Sequence, residues 1–242
     1  MKNWLIFLLL GFIMLSCDNK NTKYLEEEAI AAFDEMSKTI GELKACSYSI
    51  NIKALKPNAE FYEVNHDVYF QGPDKMYIYT SAEDMSRAYW YNGHQFAYYN
   101  YLTATYDTLT APGTILETIE AMHEHYGIYF PAADFFYPTF TDDMIDNFDS
   151  ILYLNDEELK EGRLIDIVGL NADREVYFTL ENDNMGTLPI ALSIYEKAEG
   201  AQLAYEASIN NWRTNPNLLD QLFNFKPRET DTRVKLEPKK QH

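Results

Sequence analysis

The chain has 242 residues, a formal net charge of −18 and 46% hydrophobic residues. That length suits one large β-rich domain or two small ones, and the apolar content is ample for a core. With 38 acidic against 20 basic residues, the composition argues against a nucleic-acid partner, whose binding rests on neutralising phosphates with Lys and Arg. It also disfavours a protein that lies flat on an anionic lipid surface.

In chain order, the first element is an apolar run over residues 4–15, preceded by Lys2 and stopped by Ser16-Cys17. A membrane-spanning helix needs about 20 apolar residues. A dozen, with a charged start and a small residue at the end, fit a cleaved secretory signal. Met14-Leu15-Ser16-Cys17 resembles the lipobox of bacterial lipoproteins, in which the cysteine is acylated and becomes the first residue of the mature chain. On that resemblance residues 1–16 are a lipoprotein signal peptide, Cys17 carries the lipid, and residues 17–23 are a tether. At ~3.3 Å per residue the tether reaches about 25 Å, so the folded part would sit beside an outer or inner membrane, facing the periplasm. The only other cysteine is Cys46, which leaves no internal disulfide; an unpaired cysteine in an exported protein is expected to be buried and inert.

After the tether, Ile30, Phe33, Met36, Ile40 and Leu43 recur at spacings of three and four and predict a helix, with acidic residues crowding its first turn. The period then changes to two. Tyr48, Ile50, Ile52 and Ala54 alternate with polar residues, as do Tyr62, Val64, Val68 and Phe70, and then Met76 and Ile78 against Tyr77 and Tyr79. Asn92-Gly93 within "YWYNGHQFAYY" is the strongest hairpin signal, and a further strand is expected over 103–108. "APGTILETIEAMHEHYG" reads as a helix stopped by Gly127, and "PAADFFYP" and "TDDMIDNFD" read as short helical or irregular pieces. Strands return near Ile151 and over 164–170, 175–180, 188–195 and 203–212. The expected class is therefore α+β: about ten or eleven strands in one large, curled antiparallel sheet, plugged by helices. A single domain over 24–238 with a tail at 239–242 follows, since no linker divides it.

Four stretches, "VYFQGPDKMYI", "TLTAPGTILETIEAMHEHYGIYFPAADFFYP", "LPIALSIY" and "INNWRTNPNLLDQLFNFKPRE", resemble in their order a family of predicted periplasmic proteins of unknown function. That family is related to the LolA, LolB and LppX lipoprotein and lipid carriers. The likeness spans about 24–236 and departs at Arg228, where a second proline is expected. It implies an unclosed, LolA-like half-barrel with an apolar cavity for a lipid or a lipoprotein acyl chain. The candidate cavity residues are then the inward alternating Ile50, Ile52, Val64, Val68, Phe70, Met76, Ile78, Val176, Phe178, Ile190 and Leu192; the competing reading of each is plain core.

The remaining constellations carry no chemistry. His123-Glu124-His125 places two histidines two apart, where a helical zinc pair wants four. "ENDNMG" (181–186) has Met185 where a calcium loop needs oxygen and reads as a hairpin turn; "NDEELKEG" (155–162) reads as a solvated turn. With no phosphate loop, nucleophile motif, metal site or cofactor site, the sequence argues for a binding protein and against an enzyme. Tyr77, Tyr79, Tyr89, Tyr91, Tyr98, Tyr99 and Tyr101 crowd neighbouring strands, with Tyr77 and Tyr79 opposite the apolar face, so an alternative use is a filled scaffold that meets a protein or glycan through a tyrosine-rich outer face.

Overall fold

Alternating side chains dominate the architecture. The computed structural model describes residues 23–56, 58–198 and 200–239, so the expected signal peptide, Cys17 and the expected tether up to residue 22 lie outside the described residues. The first strand, β1 (Tyr24–Leu25), is followed by the helix α1 (Glu27–Gly41). Six strands come next: β2 (Ala45–Leu55), β3 (Phe61–Gln71), β4 (Lys75–Ala82), β5 (Met85–Asn92), β6 (Gln95–Asn100) and β7 (Thr105–Thr110). The insert holds α2 (Ile115–Tyr126), a 3₁₀ turn (Ala133–Phe136) and α3 (Phe140–Asn147). Then follow β8 (Ser150–Leu159), β9 (Gly162–Leu170), β10 (Arg174–Asp183), β11 (Gly186–Glu196), β12 (Gln202–Thr214) and β13 (Thr232–Arg233).

All thirteen strands form one sheet in the order β1-β8-β9-β10-β11-β12-β2-β3-β4-β5-β6-β7-β13. The expected count of ten or eleven is corrected to thirteen, because β1 and β13 add two-residue parallel pairs at the outer edges; such short pairings have no periodicity to reveal them. The expected solvated turn at 155–162 is also corrected. β8 continues through Leu159 with its carboxylates in solvent, and only residues 160–161 turn. The two halves of the chain meet where β12 pairs with β2, and β1 and β13 lie at opposite ends of the order without pairing, so the barrel stays open.

The helices plug the lower part of the curl. α1 buries Ala29, Ala32, Phe33, Met36 and Ile40, with Phe33 edge-on to Phe140 and Phe178 at 5.5 and 5.1 Å. α2 starts on a capping box: Thr114 Oγ1 accepts from the Glu117 N–H, and Glu117 Oε2 accepts from the Thr114 N–H. It ends at Gly127, whose φ of 66° is the left-handed cap that glycine adopts without strain. No helix among the described residues is long and apolar enough to cross a membrane.

Candidate functional site

Strand register sorts the inward residues into layers across the sheet. The lowest layer runs Cys46, Phe70, Met76, Tyr91, Phe96, and the next Tyr48, Val68, Ile78, Tyr89, Tyr98. The third is Ile209, Ile50, His66, Thr80, Arg87. The fourth is Phe178, Leu192, Ala207, Ile52, Val64, and the fifth Val176, Ile194, Tyr205, Ala54, Tyr62.

The insert closes over the first two layers, of which Tyr89 alone reaches the cavity. Phe136 lies against Phe70 at 4.9 Å and stacks over Tyr48 at 6.2 Å, Phe130 meets Tyr89 at 5.5 Å, and the Tyr48 hydroxyl donates to the Pro131 carbonyl at 3.3 Å. Cys46 lies here too; burial pushes its thiol up to about 12, so it is not a nucleophile at neutral pH. Above them a cavity of about 1370 Å³ opens between layers three to five and a wall made by residues 126–137 together with Phe140, Met144 and Phe148. Drug-sized pockets are usually about 300–1,000 Å³, so this one has room for a long chain. Gly169 lets the wall residue Phe148 pack close on the sheet: a Cβ there would come within 3.0 Å of its ring.

Six of the sequence-derived candidates line this cavity: Ile50, Ile52, Val64, Val176, Phe178 and Leu192. Val68, Phe70, Met76 and Ile78 are not among its lining residues and belong to the sealed core, 0–4% exposed. Ile190 is set aside by a bulge. Pairing jumps from Thr179–Ala191 to Leu180–Pro189, leaving Ile190 unpaired, half-exposed and outside the core cluster.

Sequence reasoning missed the polar members of the third layer. His66 Nδ1 lies 2.9 Å from Thr80 Oγ1, and burial, with the Arg87 cation second, lowers the imidazole to about 4. At the fifth layer, burial raises Tyr205 to about 12. Burial, then the Asp143 charge, raises the Asp134 carboxyl on the facing wall. An alternating strand with one polar residue at an inward position is the only signal that could have flagged His66 and Arg87.

The seven crowded tyrosines divide between the two faces of the sheet. Tyr89 and Tyr91 point inward and are buried, and Tyr98 packs against the core. The chain's own C-terminal segment covers much of the rest: Phe225 sits against Trp90, Tyr99 and Tyr106 at 4.9–5.8 Å. Asp231 accepts from the Tyr99 hydroxyl at 2.9 Å, and Arg228 also bonds that hydroxyl. Tyr77, Tyr79 and Tyr101 are left along its margin, with Tyr101 42% exposed.

A comparison with curated proteins finds no match. Solved structures of similar shape include a LolA superfamily protein from Nitrosomonas europaea, 8% identical, with a TM-score of 0.37 over 81% of this chain and 97% of that one. LprF from Mycobacterium bovis is 11% identical, with a TM-score of 0.44 over 79% and 97%. MucB in complex with the MucA periplasmic region is 10% identical, with a TM-score of 0.46 over 86% and 62%. The family model for predicted periplasmic proteins known as DUF2092 matches residues 29–237, and the chain belongs to that family.

Proposed function

We propose that this is a lipid-anchored envelope protein that holds an acyl chain, from a lipid or a lipoprotein, in the cavity between the upper sheet layers and the insert. The observation that carries the reading is the cavity itself: about 1370 Å³, with Ile50, Ile52, Val64, Val176, Phe178 and Leu192 on its sheet side. Burying a methylene is worth about 0.8 kcal/mol, so a sixteen-carbon chain offers about 10 kcal/mol before ordering costs. Binding of this kind needs shape and apolar surface but no nucleophile, metal or cofactor. Cys17 supplies the anchor, and the tether keeps the cavity close to its own membrane, where the protein receives, holds or presents its ligand.

Native mass spectrometry tests this on the chain from Lys23 onward, which carries all the described strands and helices, purified gently from a bacterial periplasm. An added mass that organic solvent removes and that proves to be lipid is expected. A bare protein mass, with no uptake of an added fluorescent fatty acid, would sink the proposal. Separately, Cys17→Ser in the full chain should move the protein from the membrane fraction to the soluble one.

A further inference from the structure

Arg87 stands out in the cavity. It is the inward residue of β5 in the third layer, and it lines the cavity with His66 and Met85. Its Nε is buried and is the one buried side-chain nitrogen or oxygen among the described residues with no hydrogen-bond partner. No described carboxylate lies within ion-pair distance of it, in a chain with 38 Asp and Glu. Even the exposed Arg233 of the edge strand finds a carboxylate, Asp107 at 3.2 Å. A guanidinium is always charged and presents a planar fork that matches a carboxylate or phosphate; this one is half-buried with its Cζ 5.9 Å over the Tyr89 ring, a contact that leaves the buried Nε–H without an acceptor, which is costly. His66, held neutral by its surroundings, bonds Thr80 through Nδ1, and its Nε2 is engaged by no described residue. Arg87 is therefore the cation of this layer, and the apolar surface begins past Thr80 and His66, at Val64 on β3 and Ile50 on β2. From β5 to β10 the lined arc crosses six interstrand steps of about 4.8 Å, or about 29 Å, which accommodates a long tail.

We propose that Arg87 is a head-group anchor, and that the ligand is an anionic amphiphile whose carboxylate or phosphate pairs with Arg87 while its acyl chain runs along the upper sheet layers. This rests on the acyl-chain reading above. Charge selects the ligand here: an acyl glyceride has the same tail and neutral oxygens that can accept hydrogen bonds, but no negative charge to pair with the guanidinium.

The test compares laurate, dodecyl phosphate and monolaurin, which share a twelve-carbon chain, by calorimetric titration of the chain from Lys23 onward. The two anions should differ from monolaurin by at least about tenfold in Kd, and the tighter of the two identifies the head group. Arg87→Gln should bring both to the level of monolaurin and leave monolaurin itself unchanged. Equal binding of all three by the natural protein overturns the anchor while the acyl-chain reading stands, and so does an Arg87→Gln variant that weakens all three alike. If none of the three binds, the acyl-chain reading falls and the anchor with it. Should Arg87→Gln not fold, Arg87→Lys keeps the charge without the fork: it should retain a reduced preference for the anions, and an undiminished one overturns the fork's role.

Discussion

Ile78 and Leu192 are both inward aliphatic residues, and their layers predict opposite phenotypes. Ile78 is 0% exposed in the second layer, so Ile78→Ala leaves a hole in sealed packing and should cost about 2–5 kcal/mol. At about 2–4 °C per kcal/mol for a chain of this size, the melting temperature drops by about 4–20 °C. Acyl-chain affinity of the folded fraction should not change. Leu192 is partly buried and faces the cavity. Truncating it to alanine removes three carbons, worth about 2.4 kcal/mol if all met the ligand. With one side of the residue already on the sheet, about half of that is lost on binding, about sevenfold in Kd, and the melting temperature of the ligand-free protein moves by only a few degrees. Thermal melts followed by circular dichroism, paired with titration of a fluorescent fatty acid, separate the two. If both variants lose the same stability and neither changes affinity, or if Ile78→Ala weakens the ligand as much as Leu192→Ala does, the layer assignment is wrong.

Phe223, 1% exposed beneath the C-terminal segment, should cost about 3–5 kcal/mol on change to alanine; a urea midpoint would show it, and fatty-acid affinity should stay put. His66 gives a pH signature. Its folded pKa of about 4 lies below the 6.5 of the free side chain, so the unfolded chain takes up the proton first. Its contribution is full above about 6.5 and is lost as pH falls toward 4, by up to about 3 kcal/mol at about 1.4 kcal/mol per tenfold in proton affinity. Melting curves from pH 7 to pH 4 should flatten in His66→Gln, and an unchanged slope would count against the imidazole's burial. Gly186, at φ 102° with Thr39 Cγ2 only 2.6 Å from where a Cβ would sit, fixes the β10–β11 hairpin on α1. Gly186→Ala should lower stability by about 1–3 kcal/mol, and a melting temperature equal to that of the natural protein would refute the close approach.

Local pattern determined much of this protein. Period-two alternation in β2, β3, β4 and β10 set which residues face inward, and Phe33, Met36 and Ile40 marked the buried stripe of α1, because those spacings follow from backbone geometry within a few residues. Gly127 likewise marked the end of α2 from sequence alone. Only the tertiary structure decided the rest. That β12 pairs with β2 across more than a hundred residues, and that Phe225 returns to cover Trp90 and Tyr99, are contacts that no periodicity encodes. Alternation also makes Ile78 and Ile52 look the same. What distinguishes them is how far along the strands Phe130 and Phe136 descend from the insert, sealing one layer and leaving the other open. Arg87 was readable as a charge on a strand, but its lack of a counterion emerged only once every neighbouring strand had placed its own side chains, since the pairing of a buried charge is a property of the whole enclosure and not of the segment that carries it.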